Sequence, residues 1–254
     1  MCSSDLALAF FSKLPMPQLD WSEDNMRYLP AAFPLVGLLI GLLLQAWLWI
    51  CQWLGFGAFL FAAGLTLIPL ALTGGIHLDG FCDTADALAS RAPREKKLEI
   101  LADPRTGAFA TISLLAYMMA YLALATELPG DRKTLLALGL IHVLCRILVA
   151  FGLVYYPAAK KEGFFSSIAQ AARKGPVTVT LGLLFILASA GLVWAIAWQA
   201  LILPGLGLLH SLYIYSMSKK HFGGMNGDLA GYWLQTAELV LLAGLVILSK
   251  GVLL

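Results

Sequence analysis

The sequence predicts an all-α, polytopic transmembrane helix bundle, and three observations carry that prediction. Hydrophobic residues make up 60% of the 254-residue chain and charged residues only 13%, where a soluble domain carries about 25% charged residues. Mean hydropathy is +0.82. The apolar residues fall in runs of about 20, long enough for a helix to cross the hydrocarbon core of a bilayer, with polar residues gathered in short segments between them. No long polar block exists to build a soluble domain, so residues 1–254 read as a single integral membrane domain whose first partner is the lipid bilayer. The net charge of +2 is too small to point to nucleic acid.

In chain order, Leu6 to Leu14 is too short to span and has no basic start or small-residue cleavage site, which predicts an interfacial helix in place of a signal peptide. About seven spans follow, near 31–53, 57–76, 107–127, 134–156, 176–197, 200–217 and 232–253. The fifth and sixth come from one uncharged stretch, Gly175 to Ser218, which fits two spans with a break near Gln199 to Pro204 better than one. Gly37 and Gly41, at i and i+4, permit close helix packing either within the chain or in a homo-oligomer. Cys2, Cys51, Cys82 and Cys145 have no paired spacing and read as small core residues.

Lysine and arginine set the orientation. With a cytoplasmic N-terminus, Lys13, Arg27, Arg91, Arg94, Lys96, Lys97, Arg105, Lys160, Lys161, Arg173, Lys174, Lys219 and Lys220 lie on the cytoplasmic side. Only Arg132, Lys133 and Lys250 lie opposite, with Arg146 inside a span. That bias favours N-in, C-out in a cytoplasmic membrane. It also places the four polar stretches Asp79 to Asp86, Asp103 to Gly107, Tyr156 to Gly163 and Gly223 to Asp228 on one face, as a single site requires.

The first of these stretches is the most informative. No Asp, Glu, Lys or Arg occurs from Tyr28 to Leu78, and then Asp79, Asp83 and Asp86 follow in quick succession. On a helix they fall at i, i+4 and i+7, within an arc of roughly 60°. Against a solvated loop with accidental spacing stands a site for hard cations, because Mg²⁺ takes oxygen ligands and is commonly held by a few carboxylates plus substrate phosphates. About 6 Å along the helix axis separates the first two aspartates, a spacing suited to two metal ions about 4 Å apart bridging a pyrophosphate. Gly74-Gly75 predicts a helix break beside His77, since each glycine costs a helix about 1 kcal/mol relative to alanine. His77 reads equally well as a core residue or as a member of the acidic site.

The remaining candidates are weaker one by one. Arg105, in the turn Asp103-Pro104-Arg105-Thr106-Gly107, has the planar fork that suits phosphate. Gly223-Gly224-Met225-Asn226-Gly227-Asp228 is a turn-forming, glycine-rich loop that adds a carboxylate, Asp228. Arg146 lies near the middle of an apolar span, where a charge is costly and must face a cavity or a partner. His142 lies one turn away, and Glu238 is the available counter-charge. His142 and His210 read as hydrogen-bonded core residues.

These segments resemble the cobalamin synthase family, the adenosylcobinamide-GDP ribazoletransferases. The resemblance rests on Gly74-Gly75-Ile76-His77-Leu78-Asp79-Gly80-Phe81-Cys82-Asp83-Thr84-Ala85-Asp86, on Asp103 to Gly107 and on Gly223 to Asp228. It extends to Phe11-Ser12-Lys13-Leu14-Pro15-Met16-Pro17, Phe33-Pro34-Leu35-Val36-Gly37 and Lys161-Glu162-Gly163. The chain departs from the family at Asn226, where Thr is usual, and at Gln235, where Glu is common; Glu238 matches the next acidic position. The resemblance implies the last assembly step of the vitamin B12 nucleotide loop in the inner membrane, with Mg²⁺. There, adenosylcobinamide-GDP is joined to alpha-ribazole or its 5'-phosphate and GMP is released. It further implies Asp79, Asp83 and Asp86 as metal ligands, Asp228 as a fourth ligand or a base, Arg105 and Arg146 on phosphate, and His77 as proton acceptor. A CDP-alcohol-type phosphotransferase fits less well, because Asp83-Thr84 stand where that pattern wants Ala-Arg. A transporter with a carboxylate-lined path would need an inverted repeat, which the sequence lacks.

Overall fold

The computed structural model describes residues 3–15, 22–160 and 163–251. Among them it is helical throughout, with one isolated parallel bridge, Ala158 to Met225. Three short helices open the chain: α1 (Ser3–Phe11), α2 (Glu23–Met26) and α3 (Leu29–Ala32). Then follow α4 (Pro34–Leu54), α5 (Ala58–Thr73), α6 (Ile76–Ala89), α7 (Arg94–Ile100), α8 (Ala108–Thr126) and α9 (Arg132–Tyr155). The short α10 (Phe164–Ala171) leads to α11 (Lys174–Ala195), a 3₁₀ turn (Trp198–Leu201), α12 (Ile202–Phe222) and α13 (Gly227–Ser249). Six helical stretches are long and apolar enough to cross a membrane, and α5 with α6, bent by 96° between them, makes a seventh if counted as one broken span. The predicted spans thus match the observed helices, and the predicted helix at Leu6 to Leu14 is found at Ser3–Phe11. Its Leu6, Ala7 and Phe11 are buried against the bundle.

The helix ends show why the segments stop where they do. Gly55, Gly74 and Gly223 close α4, α5 and α12 in left-handed geometry, with φ of 68°, 63° and 78°, a conformation that costs any residue with a Cβ about 1 kcal/mol or more. Asp131 starts α9 by accepting from the backbone N–H groups of Lys133 and Thr134 at 2.9 and 3.0 Å, a cap worth about 1 kcal/mol. The chain turns between α11 and α12 at Ile196 and Ala197, slightly before the predicted break.

At the centre stands α9, buried along most of its length. It packs on α4 through bare backbone. A Cβ at Gly37 would lie 2.6 Å from the His142 carbonyl oxygen, and one at Gly41 would lie 3.0 Å from Gly139 Cα. The glycine pair of α4 therefore serves packing inside the chain. Around this centre α8, α11 and α12 turn outward large apolar side chains such as Leu115, Met119, Leu183, Ile186, Leu209 and Leu212, all exposed. An apolar exterior on an apolar core is what a bilayer selects.

Two ends of the bundle can be told apart by their contacts. Gln45 and Gln52 of α4 donate to the Arg132 and Gly130 carbonyls, and Lys250 pairs with Glu127 at 2.8 Å, so these termini share one end. Trp49, Trp53, Trp194 and Trp198, all exposed, belong to the same end. Opposite lie α7, α10, the α12–α13 loop and the start of α8.

Candidate active site

The α12–α13 loop is anchored before it offers a carboxylate. Met225 N–H donates to the Pro157 carbonyl at 2.8 Å and Ala159 N–H to the Met225 carbonyl at 2.7 Å. Gly224, with φ of 156°, has no room for a side chain, because a Cβ would lie 2.5 Å from the Pro157 carbonyl oxygen. Asn226 then caps α13, its Oδ1 accepting from Leu229 N–H at 2.8 Å, while its Nδ2 donates to Asp228 Oδ2 at 3.1 Å. One side chain thus starts the helix and fixes the carboxylate. The predicted convergence of Tyr156 to Gly163 with Gly223 to Asp228 is real; Lys161 and Glu162 lie outside the described residues.

Asp79, Asp83 and Asp86 all lie on α6, as the i, i+4, i+7 spacing requires. The two glycines before it, both left-handed, turn α6 away from α5 and lay it along α13. The approach is close: a Cβ at Gly80 would lie 2.7 Å from Asp228 Cα, and one at Gly231 would lie 2.6 Å from the His77 carbonyl oxygen. Phe81 stacks on Tyr232 with ring centroids 5.6 Å apart. This contact brings Asp79, Asp83 and Asp228 near enough to repel one another. Asp86 also acts on Asp83, but its carboxylate additionally sits at the start of α8, accepting from Ala110 N–H at 3.3 Å and filling the space above Gly107. A carboxylate there is favoured by the helix dipole.

Two cavities meet at Asp228. One, of about 200 Å³, is walled by Phe10, Phe11, Phe33 and Phe165 and has His77, Asp79 and Asp228 among its lining. The other, of about 360 Å³, is lined by Lys160, Ser166, Asn226 and the end of α7. They share Phe165, Gly227 and Asp228. His77 is buried, its ring stacked on Phe11 at 5.8 Å, and its Nε2 has no hydrogen-bond partner among the described residues. No Lys or Arg forms an ion pair with Asp79, Asp83, Asp86 or Asp228 among those residues. Nor do any three acidic, His or Cys side chains there close on one point as a complete metal shell. Unpaired carboxylates on two facing helices still fit Mg²⁺ held in part by phosphate oxygens, the usual mode for that ion.

Both arginine candidates lie elsewhere. Arg105 is exposed and forks onto Asp103, with Nη2 to Oδ2 at 2.6 Å, and the guanidinium beside it holds the Asp103 carboxyl down to about 2. It lines neither cavity, although Leu101 and Ala102 of the same loop line the larger. Arg146 is buried in an ion pair with Glu238 at 2.8 Å and also donates to the His142 carbonyl at 2.9 Å. His142 donates from Nδ1 to the same Glu238 oxygen at 2.9 Å, which makes it the hydrogen-bonded core residue expected. His210, by contrast, has no partner for Nδ1 among the described residues. Arg146 lines a separate small cavity with Tyr117, Tyr121 and Gln235. Sequence reasoning missed the phenylalanine walls and the buried Lys97, whose Nζ donates to His221 Nδ1 at 3.0 Å.

A model of the cobalamin-5-phosphate synthase family matches residues 4–246. An adenosylcobinamide-GDP ribazoletransferase of Lachnoclostridium phytofermentans is 36% identical, covering 98% of this chain and 94% of its own. Proteins of the same name from Desulfitobacterium hafniense and Clostridium perfringens are 31% and 28% identical, covering 94% and 95% of this chain and 94% and 97% of theirs. No solved structure matches the chain. Matched almost from end to end by one family model and by relatives above 30% identity, the chain belongs to the cobalamin-5-phosphate synthase family.

Proposed function

We propose that this protein transfers the adenosylcobinamide-phosphate group of adenosylcobinamide-GDP to alpha-ribazole or its 5'-phosphate, releasing GMP. The observation that carries this reading is that Asp79 of α6 and Asp228 of α13 line one cavity together and Asp228 also lines a second that adjoins it, in a chain of this family. Two substrates need two cavities, and the reacting phosphorus belongs where they join. A ribose hydroxyl oxygen forms the new P–O bond to the phosphorus that bears cobinamide, and the bond from that phosphorus to the GMP oxygen breaks. The hydroxyl proton passes to His77 Nε2, and GMP departs with the electron pair.

Asp79, Asp83 and Asp228 would hold Mg²⁺, with Asp86 at the edge of the group. The ion would neutralise charge on the pyrophosphate and on the departing GMP, the main demand of phosphoryl transfer. The chain's own part is placement: Asn226 orients Asp228, and the Gly80 contact sets α6 against α13. The positive-inside bias supports a cytoplasmic site, with the N-terminus inside and the C-terminus outside. Purified protein should release GMP from adenosylcobinamide-GDP only when alpha-ribazole and Mg²⁺ are both present. Asp79→Asn, Asp83→Asn and Asp228→Asn should each lower that rate at least 100-fold while still inserting in the membrane. GMP release without the acceptor, or near-normal rates in two of the three variants, would reject the reading.

A further inference from the structure

We infer that the phenylalanine-walled cavity is the subsite for the acceptor's benzimidazole base, and that α10 sets which base is accepted. The inference rests on the transfer reaction proposed above and assigns its two substrates to the two cavities. Phe10 and Phe11 of α1, Phe33 between α3 and α4, and Phe165 of α10 converge on one space of about 200 Å³, closed further by Val149 and Ile168. All of its charged or titratable lining is His77, Asp79 and Asp228. The space is therefore aromatic on one side and hydrogen-bonding on the other.

That division matches one half of the reaction and not the other. Guanine carries donors and acceptors around its edge, and buried without partners each costs about 1–3 kcal/mol. The aromatic walls provide no side-chain partners for them. A benzimidazole riboside is a planar, mostly apolar bicycle joined to a ribose whose hydroxyls donate hydrogen bonds. Its rings suit the phenylalanines, which reward stacked or edge contacts by about 0.5–1.5 kcal/mol per pair. Its ribose then reaches His77 and Asp228, where an attacking hydroxyl is required. A lipid acyl chain would also find the walls congenial, but it has no use for two carboxylates and an imidazole. The nucleotide end of the donor is left with the larger cavity, beside Lys160, Ser166 and Asn226.

Ile168, on the short α10 and 1% exposed, is an apolar wall residue on a different helix from either carboxylate. Ile168→Phe should fill the cavity, raising KM for alpha-ribazole at least tenfold with KM for adenosylcobinamide-GDP within twofold. It should also shift preference toward the riboside of unsubstituted benzimidazole. Ile168→Ala should shift preference the other way, toward bulkier bases. Size-exclusion chromatography in detergent checks folding, and Val149→Leu carries the same test if Ile168→Phe fails to fold. Calorimetry of alpha-ribazole binding without donor gives a second readout, with at least tenfold weaker binding expected in the filled variant. A rise in donor KM instead would place guanine in the cavity and overturn the assignment. Unchanged kinetics for both substrates would mean that lipid or nothing occupies it, which also overturns the assignment. Wild-type protein that binds alpha-ribazole but releases no GMP would reject the transfer reaction and leave the subsite standing.

Discussion

Arg146 shows how one buried charge is decided by its partners. At 1% exposure inside a span it has Glu238 at 2.8 Å, His142 bonded to the same carboxylate, and the Phe33 ring 5.8 Å away. Its Nε is unpartnered among the described residues. These contacts assign it to holding α9 against α13, whereas resemblance alone implies a role on phosphate. Removing one partner of such a pair costs about 3–5 kcal/mol, because the other charge stays buried and uncompensated. Glu238→Met should therefore lower the melting temperature in detergent sharply, and Arg146→Met with Glu238→Met should recover most of the loss. If Arg146→Lys leaves melting unchanged yet cuts turnover tenfold, the guanidinium acts on substrate after all. Asp86 is a second residue whose surroundings divide its role. Because it also serves the start of α8, Asp86→Asn should keep more activity than Asp79→Asn, measured as GMP release at saturating Mg²⁺. The aspartates were legible because three carboxylates after a long uncharged run have no apolar explanation. Whether Arg146 meets Glu238 or substrate was not, since both readings satisfy the same cost of burial and the partner lies on another span.

Among the elements, α6 depends on what its neighbours lack. Two left-handed glycines release it from α5, and missing side chains at Gly80 and Gly231 let it lie against α13. The sequence made the break predictable, because paired glycines weaken any helix. It did not reveal the close approach, for a glycine in a helix gives no sign of what will press on it. The cavity walls were hidden for a related reason: Phe10, Phe33 and Phe165 sit in three different segments, each ordinary among apolar neighbours. Gly80→Ala tests the contact directly. Its Cβ would meet backbone, Asp228 Cα at 2.7 Å and the Asp228 carbonyl oxygen at 2.8 Å, so α6 must shift as a body. A misplacement of about 1 Å at a reacting group can cost about 100-fold in rate. The variant should insert and purify normally yet lose at least 30-fold in kcat, with Gly182→Ala on α11, which lines neither cavity and has nothing within 4 Å, as the tolerant control. Equal activity in the two would mean that the α6–α13 spacing is not what the reaction needs.

At the scale of the whole molecule, charge and tryptophan divide the bundle into two unlike ends. One end gathers α7, α10 and both cavities, with Arg94 against Gly223 and Lys97 buried on His221. The other carries Trp49, Trp53, Trp194 and Trp198, exposed at helix termini where the amphipathic indole favours the bilayer interface. The lysine and arginine bias favours the first end in the cytoplasm, the orientation proposed above. Single cysteines in a background freed of Cys2, Cys51, Cys82 and Cys145 can read this in intact cells. A membrane-impermeant maleimide should label a cysteine at Asp131 or at Trp53 before lysis, and one at Arg94 or Lys219 only after it. Labelling at Arg94 from outside would invert the bundle and overturn the cytoplasmic orientation proposed above. Equal labelling at both ends in intact cells would mean that the chain inserts in two orientations. The positive-inside bias argues against that, because a single misoriented span would leave several lysines and arginines to cross the bilayer.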